Sequence, residues 1–119
     1  MRKTIVAVDF DGTICEHRFP NIGKVKEGAV EAIKKLKEDG VIIILWTCRY
    51  DSLLEEAVAF CHSVGIYPDH INTNYSGLPF ETSSKIYADY YIDDRAYGTN
   101  WEKNYEIISK HAKEPFIKV

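Results

Sequence analysis

The chain has 119 residues, 45% of them hydrophobic and 28% charged, which is typical of a single globular domain spanning residues 1–119. The net charge is −3 without a run of Lys and Arg, so a general nucleic-acid binder is disfavoured. No apolar stretch approaches the ~20 residues of a membrane helix. The apolar run Ile5–Val8 is too short for a signal peptide, and three cysteines without a C-x-x-C pair are typical of reduced thiols. We therefore expect a cytoplasmic protein with no membrane partner.

The first half of the chain alternates between strand and helix patterns. The apolar, β-branched run 5–10 predicts a parallel strand that is covered on both faces. Segment 14–26 contains Pro, Asn and Gly turn residues and is expected to be an irregular flap. Apolar residues at helical spacing then predict a first helix that ends at Gly40. The apolar run 41–47 predicts a second buried strand.

The second half continues the alternation. Ser52 and Glu55 have the spacing of a capping box at the start of a second helix, which ends at Gly65. Segment 66–72 predicts a weaker strand, because Pro and Asp interrupt it.

The last part of the chain contains shorter elements. Segment 82–87 has an ambiguous pattern, for which a short helical turn is one interpretation, and a strand is expected at 90–92. Thr99 and Glu102 are expected to cap a last helix, and 116–119 predicts an edge strand. The whole pattern predicts an α/β fold: a three-layer, Rossmann-like open parallel sheet with helices on both faces. Such sheets bind ligands at the carboxyl ends of their strands.

Polar residues collect at those carboxyl ends. Asp9 and Asp11 leave the first strand, Thr47 leaves the second, and Asp93 and Asp94 follow the strand 90–92. Two pairs of carboxylates at one sheet edge repel each other and raise each other's pKa. A hard divalent cation relieves that repulsion, and Mg²⁺ suits a site of carboxylates, water and substrate phosphate. The acids therefore predict a magnesium site.

Three cationic residues follow or precede these strand ends. Arg49, Lys85 and Arg95 are candidates for binding phosphate oxygens. For Arg49 the alternative is a solvated loop arginine, and Arg95 is expected to serve as a counter-ion of the acid pair.

The string Asp9-Phe10-Asp11-Gly12-Thr13 after an apolar strand resembles the first motif of the haloacid dehalogenase superfamily. Thr47 is similar to the second motif, Lys85 to the third, and Asp93-Asp94 to the acidic fourth, in the right order.

The resemblance implies a phosphatase mechanism. Asp9 would be the nucleophile that forms an aspartyl-phosphate, and Asp11 the general acid and then the general base. Thr47 would donate its hydroxyl to a phosphoryl oxygen. Lys85 would neutralise the phosphate, and Gly12 would leave backbone N–H groups free to bind it.

The resemblance also implies the ligands of the metal. Mg²⁺ would be bound by Asp9, the carbonyl of Asp11, and Asp93, with Asp94 bound directly or through water. An acid at Asp11 favours a phosphatase or phosphotransferase within the superfamily.

The short intervals between the motifs leave no room for a cap domain, so the chain resembles a minimal, capless member. Its open site suits a phosphorylated small molecule or an exposed phosphorylated group on a macromolecule. Covering of the site by the flap 14–26 or by a partner subunit of a homo-oligomer is left open.

Two alternatives use the same scaffold. One is a catalytically silent regulator that binds phosphate or a nucleotide. The other is a receiver-like phosphoacceptor domain, although receivers carry their phosphorylated Asp after a later strand.

Overall fold

The computed structural model describes residues 3–95 and 100–113, which form a four-stranded parallel sheet, a two-stranded hairpin and three helices. In chain order the elements are β1 (Ile5–Val8), β2 (Cys15–Arg18), β3 (Asn21–Val25), α1 (Ala29–Glu38), β4 (Ile42–Leu45), α2 (Asp51–Ser63), β5 (His70–Ile71), β6 (Tyr90–Ile92) and α3 (Trp101–Lys113). The α/β class expected from the sequence is confirmed. None of the described helices is long and apolar enough to cross a bilayer.

The parallel sheet has the strand order β5-β4-β1-β6. Val8, the last residue of β1, pairs with Leu45 at the end of β4 and with Ile92 at the end of β6. Three strands therefore end at the same level, and the residues that follow them start from one edge of the sheet.

One face of the sheet is covered by helices. Because successive strand residues point to opposite faces, Val6 and Val8 share a face with Ile43 and Leu45. All three described helices contribute buried residues to this core: Ala29, Ala32, Ile33 and Leu36 from α1, Ala57 and Cys61 from α2, and Trp101 and Ile108 from α3.

The opposite face is covered by the segment 74–88, which corrects the expectation of helices on both faces. Tyr75, Leu78, Ile86, Tyr87 and Ala88 of this segment pack against the strand residues Ile5, Ala7, Ile42 and Ile44. The segment is irregular, so the helical turn predicted at 82–87 is wrong. Asn74 provides its internal bonds instead, since its Oδ1 accepts the N–H of Tyr87 at 2.6 Å and its Nδ2 donates to the carbonyl of Lys85 at 3.3 Å.

The flap 14–26 is a β-hairpin rather than an irregular segment. Cys15 pairs with Val25, and Arg18 pairs with Asn21 across a two-residue turn of Phe19 and Pro20. The turn residues in the sequence thus mark a hairpin connection, not the loss of regular structure.

Two helix starts also differ from expectation. The capping box of Ser52 and Glu55 is wrong, because α2 begins at Asp51 and its cap residue Tyr50 makes no side-chain cap bond. Asn100 caps α3, since its Oδ1 accepts the N–H of Lys103 at 2.9 Å. The expected cap Thr99 and the expected edge strand 116–119 lie outside the described residues.

Candidate functional site

Three carboxylates lie close together at the edge of the sheet where β1, β4 and β6 end. Asp9 follows β1 and is joined to β6 by its N–H, which donates to the carbonyl of Ile92 at 2.9 Å. Asp93 and Asp94 follow β6, and carboxylate oxygens of these two residues and Asp9 lie within 4.8 Å of one another. The convergence predicted for Asp9, Asp93 and Asp94 is therefore observed, and hard oxygen donors so close together suit a divalent cation.

The carboxyl of Asp9 has a perturbed affinity for protons. Burial raises its pKa from 3.8 to about 7, and the negative charges of Asp93 and Asp94 act in the same direction. The N–H of Phe10 donates to the carboxylate and opposes the shift. A positive charge at this edge would therefore favour the ionised form of Asp9.

The loop after Asp9 is a tight turn around one carbonyl. The oxygen of Phe10 accepts the N–H groups of Thr13 at 3.2 Å and Ile14 at 3.0 Å, and Gly12 has a φ of +84°. The N–H of Gly12 donates to the carbonyl of Cys15 at 2.8 Å. The turn itself uses the N–H of Gly12. That Gly12 leaves other backbone N–H groups of this loop free to bind phosphate stays a prediction.

Gly12 has a different role, which is clearance for an acid of the cluster. A side chain at this position would overlap the carboxylate of Asp94. Gly12 therefore allows Asp94 to approach Asp9.

Thr13 is a site residue that motif matching left without a role. It is 5% exposed, and its Oγ1 accepts the N–H of Asp94 at 2.9 Å. Its carbonyl accepts the indole N–H of Trp101 at 2.9 Å. Thr13 thus ties the loop after β1 to the loop after β6 and to α3, and its position in the D-x-D-G-T string was the available signal.

Thr47 lies at the end of β4 with its backbone held from both sides. The side chain of Asn72 accepts the N–H of Thr47 at 2.9 Å and donates to its carbonyl at 3.0 Å. The Thr47 Oγ1 accepts the N–H of Arg49 at 3.1 Å, which orients the hydroxyl. A hydroxyl that accepts one bond in this way keeps its own hydrogen to donate.

Asp11 is paired with Arg49 rather than directed at the other acids. The guanidinium donates to both carboxylate oxygens at 2.8 Å, and the Arg49 side chain is 1% exposed. The prediction that Arg49 binds substrate is wrong for this arrangement, because its charge and donors are committed within the protein. The alternative of a solvated loop arginine is equally wrong.

The other two cationic candidates are exposed. Ser84 and Ile86 line the cavity at the site, whereas Lys85 between them does not. Arg95 is exposed, and its backbone N–H donates to Asp93 Oδ1 at 3.0 Å. Among the described residues, Lys85 forms no ion pair with these carboxylates.

A cavity of about 310 Å³ opens beside the acids. Its lining consists of Asp9, Trp46, Thr47, Cys48, Asn72, Ser84, Ile86 and Asp93. The walls thus combine carboxylates and a hydroxyl with apolar surface from Trp46 and Ile86. All three cysteines are free thiols, as expected, and Cys48 is the exposed one.

A larger cleft of about 620 Å³ lies between α1 and α3, lined by Glu27, Glu31, Glu102 and Glu106 together with Trp101 and Tyr105. Its size alone does not make it the functional site. It contains none of the predicted site residues, whereas the smaller cavity contains Asp9, Thr47 and Asp93.

Fold and site together define an α/β protein with an acidic cluster at the carboxyl edge of a parallel sheet. A solved structure of a conserved protein from Bacteroides thetaiotaomicron is similar to it, with 38% sequence identity and a TM-score of 0.83. The match covers 92% of this chain and 93% of that chain, and the protein belongs to the same family. A scan of family models found no match. A search of curated proteins also found none.

Proposed function

We propose that the protein is a phosphatase of the haloacid dehalogenase superfamily that hydrolyses a small phosphomonoester with the help of Mg²⁺. The observation that carries the proposal is the meeting of Asp9, Asp93 and Asp94 within 4.8 Å, beside a cavity that Thr47 also lines. The motif order along the chain adds to it. The finer fold assignment, a Rossmann-like and capless domain of this superfamily, belongs to the same proposal.

The residues at the sheet edge fit a divalent cation. Asp9, Asp93 and Asp94 offer hard oxygen ligands. Burial first, and then the charges of Asp93 and Asp94, raise the pKa of Asp9, and a cation would favour its ionised form. The carbonyl of Asp11 is the further ligand implied by the resemblance. A bound Mg²⁺ would offset the charge that develops on the phosphoryl oxygens.

The first half-reaction uses Asp9 and Asp11. The ionised carboxylate of Asp9 attacks phosphorus, a new O–P bond forms, and the bond from phosphorus to the leaving oxygen breaks. Asp11 gives a proton to that oxygen, so an alcohol departs. The Thr47 hydroxyl donates a hydrogen bond to a phosphoryl oxygen. Lys85 is assigned to phosphate neutralisation by the resemblance alone.

The second half-reaction regenerates the enzyme. Asp11 accepts a proton from a water molecule, which attacks phosphorus, and the bond between Asp9 and phosphorus breaks. Inorganic phosphate leaves and Asp9 is again a carboxylate.

The cavity favours a small substrate. Its volume of about 310 Å³ lies at the low end of small-molecule pockets. The apolar surface of Trp46 and Ile86 next to the acids favours a substrate with an apolar part near the phosphate.

The test is turnover of a panel of phosphomonoesters, with Mg²⁺ and with EDTA, by the wild type and Asp9→Asn. We expect release of phosphate that requires Mg²⁺ and falls by at least ~1000-fold in Asp9→Asn, because the nucleophile is lost. Asp39→Asn, at the exposed end of α1, is the matched control and should retain wild-type turnover.

Turnover that persists in EDTA or in Asp9→Asn would contradict the proposal. A complete lack of turnover, together with stabilisation by a phosphate analogue, would favour the silent phosphate- or nucleotide-binding regulator instead.

A further inference from the structure

We propose that Arg49 is a positioning residue that holds the carboxylate of Asp11 and the tip of the β2–β3 hairpin as one unit. The inference rests on the proposed function, in which Asp11 exchanges protons with the leaving group and with water.

Every N–H of the Arg49 guanidinium has a partner inside the protein. Nε and Nη2 donate to the two oxygens of Asp11, each at 2.8 Å. Through its second hydrogen, Nη2 also donates to the carbonyl oxygen of Asn21 at 3.0 Å. Nη1 donates to the carbonyls of Pro20 at 3.2 Å and Leu53 at 3.4 Å. Arginine has five such donors, so none remains for a substrate phosphate.

These partners belong to separate parts of the site. Asp11 lies in the loop after β1, and Leu53 lies in the first turn of α2. Pro20 lies in the turn at the hairpin tip, and Asn21 is the first residue of β3. One side chain therefore fixes the distance between the hairpin tip and the proton-transfer carboxylate.

Two aromatic rings lie at cation–π distance from the guanidinium. Its Cζ lies 5.3 Å from the centroid of the Phe10 ring and 5.0 Å from that of Phe19. Phe10 follows the nucleophile Asp9, and Phe19 belongs to the hairpin turn, so these cation–π contacts join the same two regions as the hydrogen bonds. A planar, forked donor is required for this arrangement, and lysine cannot reproduce it.

The pairing leaves lone pairs on both carboxylate oxygens of Asp11 that Arg49 does not use. A carboxylate has about four lone-pair positions, and the guanidinium occupies one on each oxygen. Arg49 therefore binds Asp11 through one lone pair on each oxygen, and the remaining lone pairs can interact with the leaving group or water. Neither Asp11 nor Arg49 lines the cavity beside Asp9, so the pair lies next to that cavity rather than in its wall.

The kinetic test compares two phosphomonoesters under Mg²⁺. An aryl phosphate with a good leaving group departs without a proton, whereas an alkyl phosphate needs one. If Arg49 acts through Asp11, Arg49→Lys should lower kcat/KM at least ~10-fold for the alkyl ester and less than ~3-fold for the aryl ester. Arg18→Lys, on the exposed hairpin strand, is the matched control and should change neither value.

A double-mutant cycle with Asp11→Asn then identifies the route of the effect. Once Asp11 can no longer transfer protons, Arg49→Lys should add no further loss on the alkyl ester. Equal losses on the two esters, or no loss on either, would overturn the inference. An additive loss in the double variant would overturn it as well.

Hydrogen exchange gives a readout that is independent of turnover. Both Arg49→Lys and Asp11→Asn should speed exchange of backbone amides at 15–25 and leave those of α3 unchanged. Unchanged exchange at the hairpin in Asp11→Asn would overturn the proposed link, even if Arg49→Lys fails to fold. If the wild type hydrolyses neither ester, the proposed function fails. Hydrogen exchange alone then tests whether Arg49 links Asp11 to the hairpin.

Discussion

Gly12 shows how one residue decides the geometry of the acid cluster. Its φ of +84° lies in the left-handed region, and the space where a side chain would stand is taken by the Asp94 carboxylate. Gly40 has nearly the same φ, +86°, but has no atoms within 4 Å of its missing side chain. Alanine substitutions at the two positions therefore distinguish the cost of backbone strain, present at both, from that of a collision with Asp94, present only at Gly12.

We expect Gly40→Ala to lower the free energy of unfolding by about 1 kcal/mol and to leave turnover intact. Gly12→Ala should cost at least ~1 kcal/mol more, because it also displaces Asp94. It should also abolish Mg²⁺-dependent turnover. Urea denaturation and the phosphatase assay measure the two effects. Indistinguishable behaviour of the two variants would rule out the collision.

Among the elements, the segment 74–88 takes the place that a helix layer would occupy on the second face of the sheet. It keeps Ile5 and Ile44 at 0% exposure without regular secondary structure. Its ends are joined by the side chain of Asn74, which bonds the backbone at Lys85 and Tyr87. The Asn74 amide therefore adds a polar link to the apolar packing that holds this segment on the sheet.

Asn74→Ala should lower the free energy of unfolding by about 1–2 kcal/mol, because the N–H of Tyr87 loses its partner in a half-buried position. The same change should speed cleavage by a protease within 74–88. Ser76→Ala, in the exposed turn of the same segment, is the control. Cleavage at the wild-type rate in Asn74→Ala would show that the apolar contacts alone hold the cover.

The strands that position the site could be predicted from local pattern, whereas the contacts that complete it could not. The β-branched runs of β1 and β4 are buried on both faces, and parallel strands bring Asp9 and Asp93 to one edge regardless of the loops between them. The bond between Arg49 and Asp11 joins residues 38 positions apart, and no periodicity encodes such a pair. The hairpin at 14–26 was missed because its strands contain the polar and glycine residues of a loop.

For the molecule as a whole, the half-buried carboxyl of Asp9 acts against folding when it is ionised and no cation is bound. The pKa of Asp9 is 3.8 ordinarily and about 7 in the folded protein, so the folded state holds the proton more tightly than the unfolded chain. Stability is therefore lost as pH rises from 3.8 to about 7, and the loss is complete above that range.

Compared with Asp9→Asn in EDTA, the wild type should become less stable by about 1–2 kcal/mol between pH 4 and pH 8, after allowance for solvent screening at a half-buried carboxyl. Thermal unfolding at several pH values measures this difference. Glu38→Gln, on the exposed side of α1, should follow the wild type. Mg²⁺ at pH 8 should raise the Tm of the wild type more than that of Asp9→Asn. A difference that stays constant with pH would exclude Asp9 as the source.

The three thiols differ in exposure, so that a single native cysteine is accessible to chemical labelling. Cys15 and Cys61 are buried, and burial raises the pKa of both thiols, that of Cys61 to about 12. Cys48 is exposed and stands in the wall of the cavity next to Thr47. An alkylating dye would therefore attach at a single position without any engineered cysteine, and its fluorescence would register the arrival of cation or substrate in real time.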